Sequence, residues 1–375
     1  MRRFKPLFTT LMFCFPLLTE ATDNVVLITL DGMRWQEVFQ GIDPELATHD
    51  EYASQSEEIM ARFWRESPAE RAEVLMPFLH RVVFRQGTYV GNRNADSCAR
   101  VANPWYFSYP GYSEILSGVV NPDIDSNRKT ANPEKTFLEL LNNKPEFRGR
   151  MAAFTSWDVF PYIFNVERSG LFINAFDKTP APINEFELFL NRVIDDMPPR
   201  WPTVRNDVFT HHFALSYMRE KHPRVVYISY GETDDFAHEG LYDEYVMAAN
   251  RSDRFIAEVW DRVQSSAFYR DNTILFITTD HGRGEEPVET WLHHASKQSL
   301  RGYMQSLAQY EEGIVGSEAV WMAAIGPGIP ASGLVETGAD CLTSDRIAAT
   351  LLEHLGMDYR IFNPDMGMPM AEFLP

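Results

Sequence analysis

The run VVLITLDG spans Val25–Gly32, and TILFITTDHG spans Thr273–Gly282. Each is an unbroken apolar, β-branched segment that stops at an acidic residue. Runs of this kind, apolar at every position, are what strands buried on both faces of a parallel sheet require. A third, RVVYISYG over Arg224–Gly231, ends just before Glu232-Thr233-Asp234 and His238. Working outward, weaker strands are expected at 151–155 and 171–175, and another at Val320–Ile325. Helices are expected over Ala69–Arg85, Glu114–Gly118, Pro133–Leu141 with Asn132 as cap, Asp207–Arg219, Glu244–Val263 and Ser344–Leu355. Strand alternating with helix points to an open, mostly parallel α/β sheet sandwiched by helices. The chain is read as one catalytic domain over 22–375, with cap or insert segments at about 40–100, the first a solvated helical excursion, and at 156–206.

With 375 residues, 45% of them apolar, the chain has ample material for a large core. Its 34 Lys and Arg against 53 Asp and Glu leave a formal charge of −19, which repels phosphate backbones and excludes long nucleic acid as a main partner. Small anions stay open, because a bound metal inverts the local field. Three Cys exclude a disulfide-dense scaffold and a Cys-rich zinc module. Residues 1–21 read as an export signal: Arg2, Arg3 and Lys5, an apolar run from Pro6 to Leu18, and a small residue at Ala21. That implies a periplasmic or secreted protein with no stable membrane span after cleavage. Cys98 and Cys341 remain, and their pairing stays open.

In open α/β sheets ligands bind beyond the carboxyl ends of the strands. Asp31, Asp234, His238, Asp280 and His281 all fall there, and His293-His294 adds a further imidazole. Oxygen and nitrogen donors of this kind suit zinc or manganese. Ser108 precedes a Pro-Gly turn at the start of a helix, where free N–H groups favour an anion. No G-x-S-x-G elbow, P-loop or G-x-G-x-x-G fingerprint is present.

These pieces, in this order, resemble the alkaline phosphatase superfamily, with most likeness to its nucleotide pyrophosphatase/phosphodiesterase branch. They are Leu30-Asp31-Gly32-Met33-Arg34, Ser108-Tyr109-Pro110-Gly111-Tyr112-Ser113 through Gly118, Asp234 to His238, Thr279-Asp280-His281-Gly282, and His294. The resemblance implies two divalent metal ions, zinc before manganese. One would be held by Asp234, His238 and His294, the other by Asp31, Asp280, His281 and the nucleophile Ser108. It implies hydrolysis of a small phosphoric mono- or diester through a phosphoserine, with Asn127 hydrogen-bonding a phosphoryl oxygen. Three departures stand out: Asp235-Phe236-Ala237 in place of a smaller Ser-Ser-Gly, Ala295 in place of Gly, and Arg283 after Asp280-His281-Gly282, where a cation could grip a substrate anion. The Trp291-x-x-His294 spacing favours His294 over His293. Tyr112 stands where a sulfatase motif carries Arg. Sulfatase and phosphonate hydrolase remain as alternatives, as does a non-catalytic metal-stabilised binding protein.

Overall fold

The computed structural model describes residues 22–375, so the expected signal segment lies outside the described residues. Eleven strands are found in them: β1 Asn24–Leu30, β2 Thr88–Val90, β3 Ala99–Arg100, β4 Met151–Thr155, β5 Phe172–Ala175, β6 Val225–Tyr230, β7 Thr273–Thr278, β8 Ala319–Val320, β9 Met322–Ile325, β10 Gly333–Leu334 and β11 Leu342–Thr343. Eight form one sheet in the order β10-β2-β9-β7-β1-β6-β4-β5, and β11-β3-β8 form a small second sheet. From β7 through β5 the pairing is parallel, while β9 runs antiparallel to both β7 and β2.

The three apolar runs are the central strands, and every residue of β1, β6 and β7 is buried. Alternation sends Val26, Ile28 and Leu30 into one core with the helices Asp207–Lys221 and Tyr242–Ser265. Val25 and Leu27 face the other core, with the helices Ser108–Ser117 and Ile347–His354. The register pairs Leu30 with Tyr230 on one side and Thr29 with Thr278 on the other. Asp31, the 231–238 segment and Asp280 therefore leave the sheet at one level.

Several local expectations differ from what is observed. The run 69–85 is not one helix: Pro68–Leu75 stops at Met76, because Pro77 cannot continue the ladder. A second segment restarts where the Asp253 carboxylate accepts the Phe78 and Leu79 N–H groups at 2.8 and 2.9 Å. The excursion expected to be solvated packs inward, with Ile42, Leu46, Ile59, Phe63 and Leu75 in the same core as the helix Tyr242–Ser265. Asn132 is not a helix cap. The helix runs Phe137–Asn142 under Thr136, whose Oγ1 accepts the Glu139 N–H, and Asn132 is buried between Ser113 and Ile163. The segment 320–325 splits between β8 and β9 at Trp321, whose indole N–H is drawn to the Met33 carbonyl.

Cys98 and Cys341 form a disulfide across 243 positions, beside the Ala99–Leu342 pairing of the small sheet. Closing so long a loop restricts the unfolded chain strongly. Cys98→Ser is expected to lower the free energy of unfolding by about 5.5 kcal/mol in chain-entropy terms, read as a lower urea midpoint. An unchanged midpoint would show that the cross-link contributes nothing to stability.

Candidate metal centre and nucleophile

Five chain segments deliver the site. Asp31 ends β1, and Asp280-His281 follow β7. Asp234 and His238 lie on the helix Glu232–His238 rather than on a loop, so their i,i+4 spacing puts both on one face. His294 follows the 3-10 turn Val288–Leu292. Ser108 is the first residue of the helix Ser108–Ser117, which starts six residues before the expected Glu114 and is closed by Gly118 at φ 72°. Pro110 falls in its first turn, where no N–H is needed.

That helix lies directly on the Asp280 backbone. A Cβ on Gly111 would sit 2.4 Å from the Asp280 carbonyl oxygen. Gly111→Ala must therefore push the Ser108 helix away from Asp280. It is expected to cost both stability and most of any turnover, measured as a lower melting temperature and a fall in kcat. A variant with wild-type melting and kcat would contradict this close approach.

Around His281 Nε2 lie Ser108 Oγ at 3.3 Å, Asp31 Oδ1 at 3.4 Å and Asp280 Oδ2 at 3.5 Å. His281 Nδ1 is engaged with the Gly282 carbonyl at 2.8 Å, which leaves Nε2 as the free donor atom. Asp31 Oδ1 and Asp280 Oδ2 are buried and have no hydrogen-bond partner. In the second group, His238 Nε2 is 3.1 Å from His294 Nε2 and 3.2 Å from Asp234 Oδ2. His294 Nε2 is 3.7 Å from Asp234 Oδ1. Four ligands at tetrahedral zinc distances are separated by about 3.3–3.4 Å. The distances from His281 Nε2 in the first group, 3.3–3.5 Å, are close to that spacing, those of the second spread around it from 3.1 to 3.7 Å, and the orphaned carboxylate oxygens are the buried charges a cation would satisfy. The residues present therefore fit two divalent ions. Asp234 lies between the groups, its Oδ1 3.8 Å from His281 Nε2.

The electrostatics agree. Burial and the Asp234 charge raise the Asp31 carboxyl, and burial with Asp31 raises Asp280 well above the ordinary range. Burial opposes the charged form of His281, but Asp280, Asp31 and Asp234 outweigh it and carry the ring up to about 9. Burial also opposes ionisation of Asp234, yet His238, Arg283 and His294 hold it well below the usual carboxylate range. Asp235 is pushed up to about 9 by burial and by Asp234, Asp31 and Asp207.

All seven expected ligands are thus brought together. His294 is the inward histidine, its Nδ1 3.2 Å from the Tyr106 carbonyl, while the half-buried His293 ring lies 6.2 Å from that of Tyr310. Asn127 also reaches the cleft. Its Oδ1 accepts the Tyr109 N–H at 2.9 Å, which leaves Nδ2 as the donor for a ligand. Arg283 is a correction. It does not face the cleft to grip an anion. It is fully buried, and its guanidinium donates to Asp234 Oδ1 and to the Trp291 and Leu292 carbonyls. It is drawn there because a cation without a partner inside the protein is costly. The cleft, about 290 Å³, is walled instead by Trp157, Thr203, Val204, Asp235, Tyr303 and Met304. Asp235 was visible in the sequence as a departure from the family pattern. Tyr303 and Met304 carry no motif and could not be found that way.

The sequence model of the Metalloenzyme superfamily matches residues 207–297, the segment that supplies Asp234 through His294. No curated protein matches the chain. Among solved structures, the alkaline phosphatase PafA is 10% identical with a TM-score of 0.58, over 95% of this chain and 99% of that one. A protein in the alkaline phosphatase superfamily from Vibrio parahaemolyticus is 13% identical, with a TM-score of 0.51 over 94% and 71%. BT1596, a 2-O GAG sulfatase, is 13% identical, with a TM-score of 0.53 over 94% and 72%. Matched segment and shared fold agree with the motif order: the resemblance is to the metalloenzymes of the alkaline phosphatase superfamily, at the level of the superfamily and of no single branch.

Proposed function

We propose that the protein is an exported hydrolase of phosphoric mono- or diesters in which Ser108 is the nucleophile. One observation carries this reading: Asp31, Asp280 and His281 cluster beside a buried serine at a helix N-terminus, with Ser108 Oγ 3.3 Å from His281 Nε2, and Asp234 and His294 cluster next to them with His238 3.1 Å from His294. Asp234, His238 and His294 would hold one cation, and Asp31, Asp280, His281 and Ser108 the other. Zinc is the first choice for such donors and manganese the second. Bound there, the pair would supply Lewis acidity and lower the pKa of a hydroxyl.

The chain's own groups do the rest. Ser108 Oγ attacks phosphorus in line, the alcohol departs on the far side, and a phosphoserine forms. Water then cleaves the new P–O bond and frees Ser108. Asn127 Nδ2 donates to an equatorial oxygen, and the N-terminal dipole of the Ser108 helix favours the anion. Export is supported by the Cys98–Cys341 disulfide, which persists in oxidising compartments. No helix of the described residues is long and apolar enough to cross a membrane.

A sulfatase is the second reading, favoured by solved neighbours of that name. Tyr112 supports phosphorus instead. It occupies the place of the sulfatase Arg and is buried, its hydroxyl accepting from Ser229 Oγ at 3.3 Å. The test is zinc- or manganese-loaded protein assayed on nitrophenyl phosphate, bis-nitrophenyl phosphate, nitrophenyl sulfate and a phenylphosphonate ester. Turnover of a phosphate ester supports the proposal. Turnover of sulfate or phosphonate alone overturns it.

A further inference from the structure

The two donor sets differ in what surrounds them. In the first, Asp31 Oδ1 and Asp280 Oδ2 are buried without a hydrogen-bond partner. In the second, both oxygens of the one carboxylate are engaged. Asp234 Oδ1 takes the Arg283 guanidinium, and Oδ2 lies 3.2 Å from His238 Nε2. Two carboxylates thus serve the first set, whereas one serves the second and a guanidinium offsets it. That guanidinium is fixed in place. It is fully buried, its Nε donates to the Trp291 carbonyl at 2.8 Å, and its Nη2 donates to the Leu292 carbonyl. Gly32 lies so close that a Cβ there would be 2.8 Å from Nη1.

The imidazoles differ in the same sense. A neutral ring that binds a metal through Nε2 carries its hydrogen on Nδ1 and needs an acceptor there. His281 and His294 have one, the Gly282 carbonyl at 2.8 Å and the Tyr106 carbonyl at 3.2 Å. His238 Nδ1 instead faces Arg283 Nη2 at 3.3 Å, and a guanidinium N–H can only donate. A hydrogen of His238 is thereby placed on Nε2, directed at Asp234, and a cation at Nε2 has to undo both contacts. Exposure points the same way. Of the His238 side chain 41% is open to solvent, against 8% or less for Asp31, Asp280 and His281.

Like charges close together inside a protein repel strongly, because little water screens them. We propose that Arg283 makes the ion of Asp234, His238 and His294 the weakly held, exchangeable one of the pair, while Asp31, Asp280, His281 and Ser108 hold theirs firmly. This rests on the two-metal phosphoesterase reading above and names how that site is regulated. Turnover rises only when free metal is high enough to fill the outer set against Arg283.

The test titrates the metal-free full chain with zinc in chelator-buffered solutions and counts bound zinc by elemental analysis. Two steps are expected, about a hundredfold or more apart in free zinc, with turnover of nitrophenyl phosphate or its bis ester rising along the weaker one. His238→Ala should abolish the weaker step and leave the tighter one in place. Arg283→Gln, which keeps a donor and drops the charge, should tighten the weaker step by about tenfold or more, the scale of outer-sphere effects on metal affinity. Arg283→Lys, which keeps the charge, should leave the separation as it is. A single step for both ions overturns the inference and leaves the phosphoesterase reading intact. So does loss of the tighter step in His238→Ala, or a weaker step that weakens further in Arg283→Gln, which would make Arg283 a brace for residues 291–294. Should Arg283→Gln not fold, the wild type and His238→Ala decide between these outcomes. If fewer than two zinc ions bind at any concentration, the two-metal reading fails and this inference with it.

Discussion

Ser108→Ala is expected to lower turnover of aryl phosphates by at least about 10³-fold, toward the roughly 10⁶-fold seen when a catalytic serine is removed. The fold should survive. Ser108 is buried at the start of its helix, but its side chain caps nothing, and its Oγ is directed at His281. The loss should therefore appear in kcat, with the far-ultraviolet spectrum and melting temperature little changed. Quenching the wild type with acid during turnover should trap one phosphate on a peptide containing Ser108, and the alanine variant should trap none. A variant that keeps a tenth or more of wild-type kcat would remove Ser108 from the chemistry.

The second large effect concerns Asp280. Asp280→Asn retains the shape and the acceptor for the Gly32 N–H at 3.1 Å, so the change is one of charge. With metal present, the variant should hold one cation per chain where the wild type holds two, counted by elemental analysis after dialysis. Its turnover should fall by on the order of 10³-fold, as for loss of a transition-state clamp. With chelator present, the order of stability should reverse. Burial and Asp31 raise the Asp280 carboxyl far above its unfolded value, so at neutral pH ionised Asp280 opposes folding when no cation offsets it. A neutral amide removes that opposition. The chelated variant should therefore melt no lower than the chelated wild type, while the metal-loaded variant melts below the metal-loaded wild type. Two retained cations with full activity would refute the assignment of Asp280.

The central frame was legible because its signals are strong and local. An apolar run such as Val25–Leu30 has few other uses than a doubly buried strand, and acidic groups at its end must face whatever lies beyond the sheet. The same logic brought Asp31, Asp234, Asp280 and His281 to one edge. Less legible were features settled by distant partners. The break at Pro77 depends on Asp253, more than 170 positions away in the chain. The competition between Asn132 and Thr136 as a helix cap was decided by a slot for Asn132 between Ser113 and Ile163. Arg283 reads in sequence as a free cation, but three carbonyl and carboxylate acceptors converge on it inside the protein. The walls of the cleft were the least legible. Tyr303 and Met304 lie in an irregular stretch between short 3-10 turns, where neither periodicity nor a motif signals a role.

The position of β1 has a consequence for how the molecule comes into being. This first strand is hydrogen-bonded to β6 and β7, which begin 201 and 249 positions after it. Pairings this remote in sequence are slow to form and arise late, because the intervening chain must be gathered first. As the chain emerges from a ribosome, Asp31 and Ser108 appear long before Asp280 and His294. No fragment ending before the last third of the sequence contains either donor set whole. Ion capture is thereby placed after assembly of the sheet, so a premature stop or an arrested folding intermediate offers scattered acidic side chains and no preformed chelate. Uptake of the second equivalent of metal by a refolding sample would mark the moment when β1 has met β7 and the segment after it.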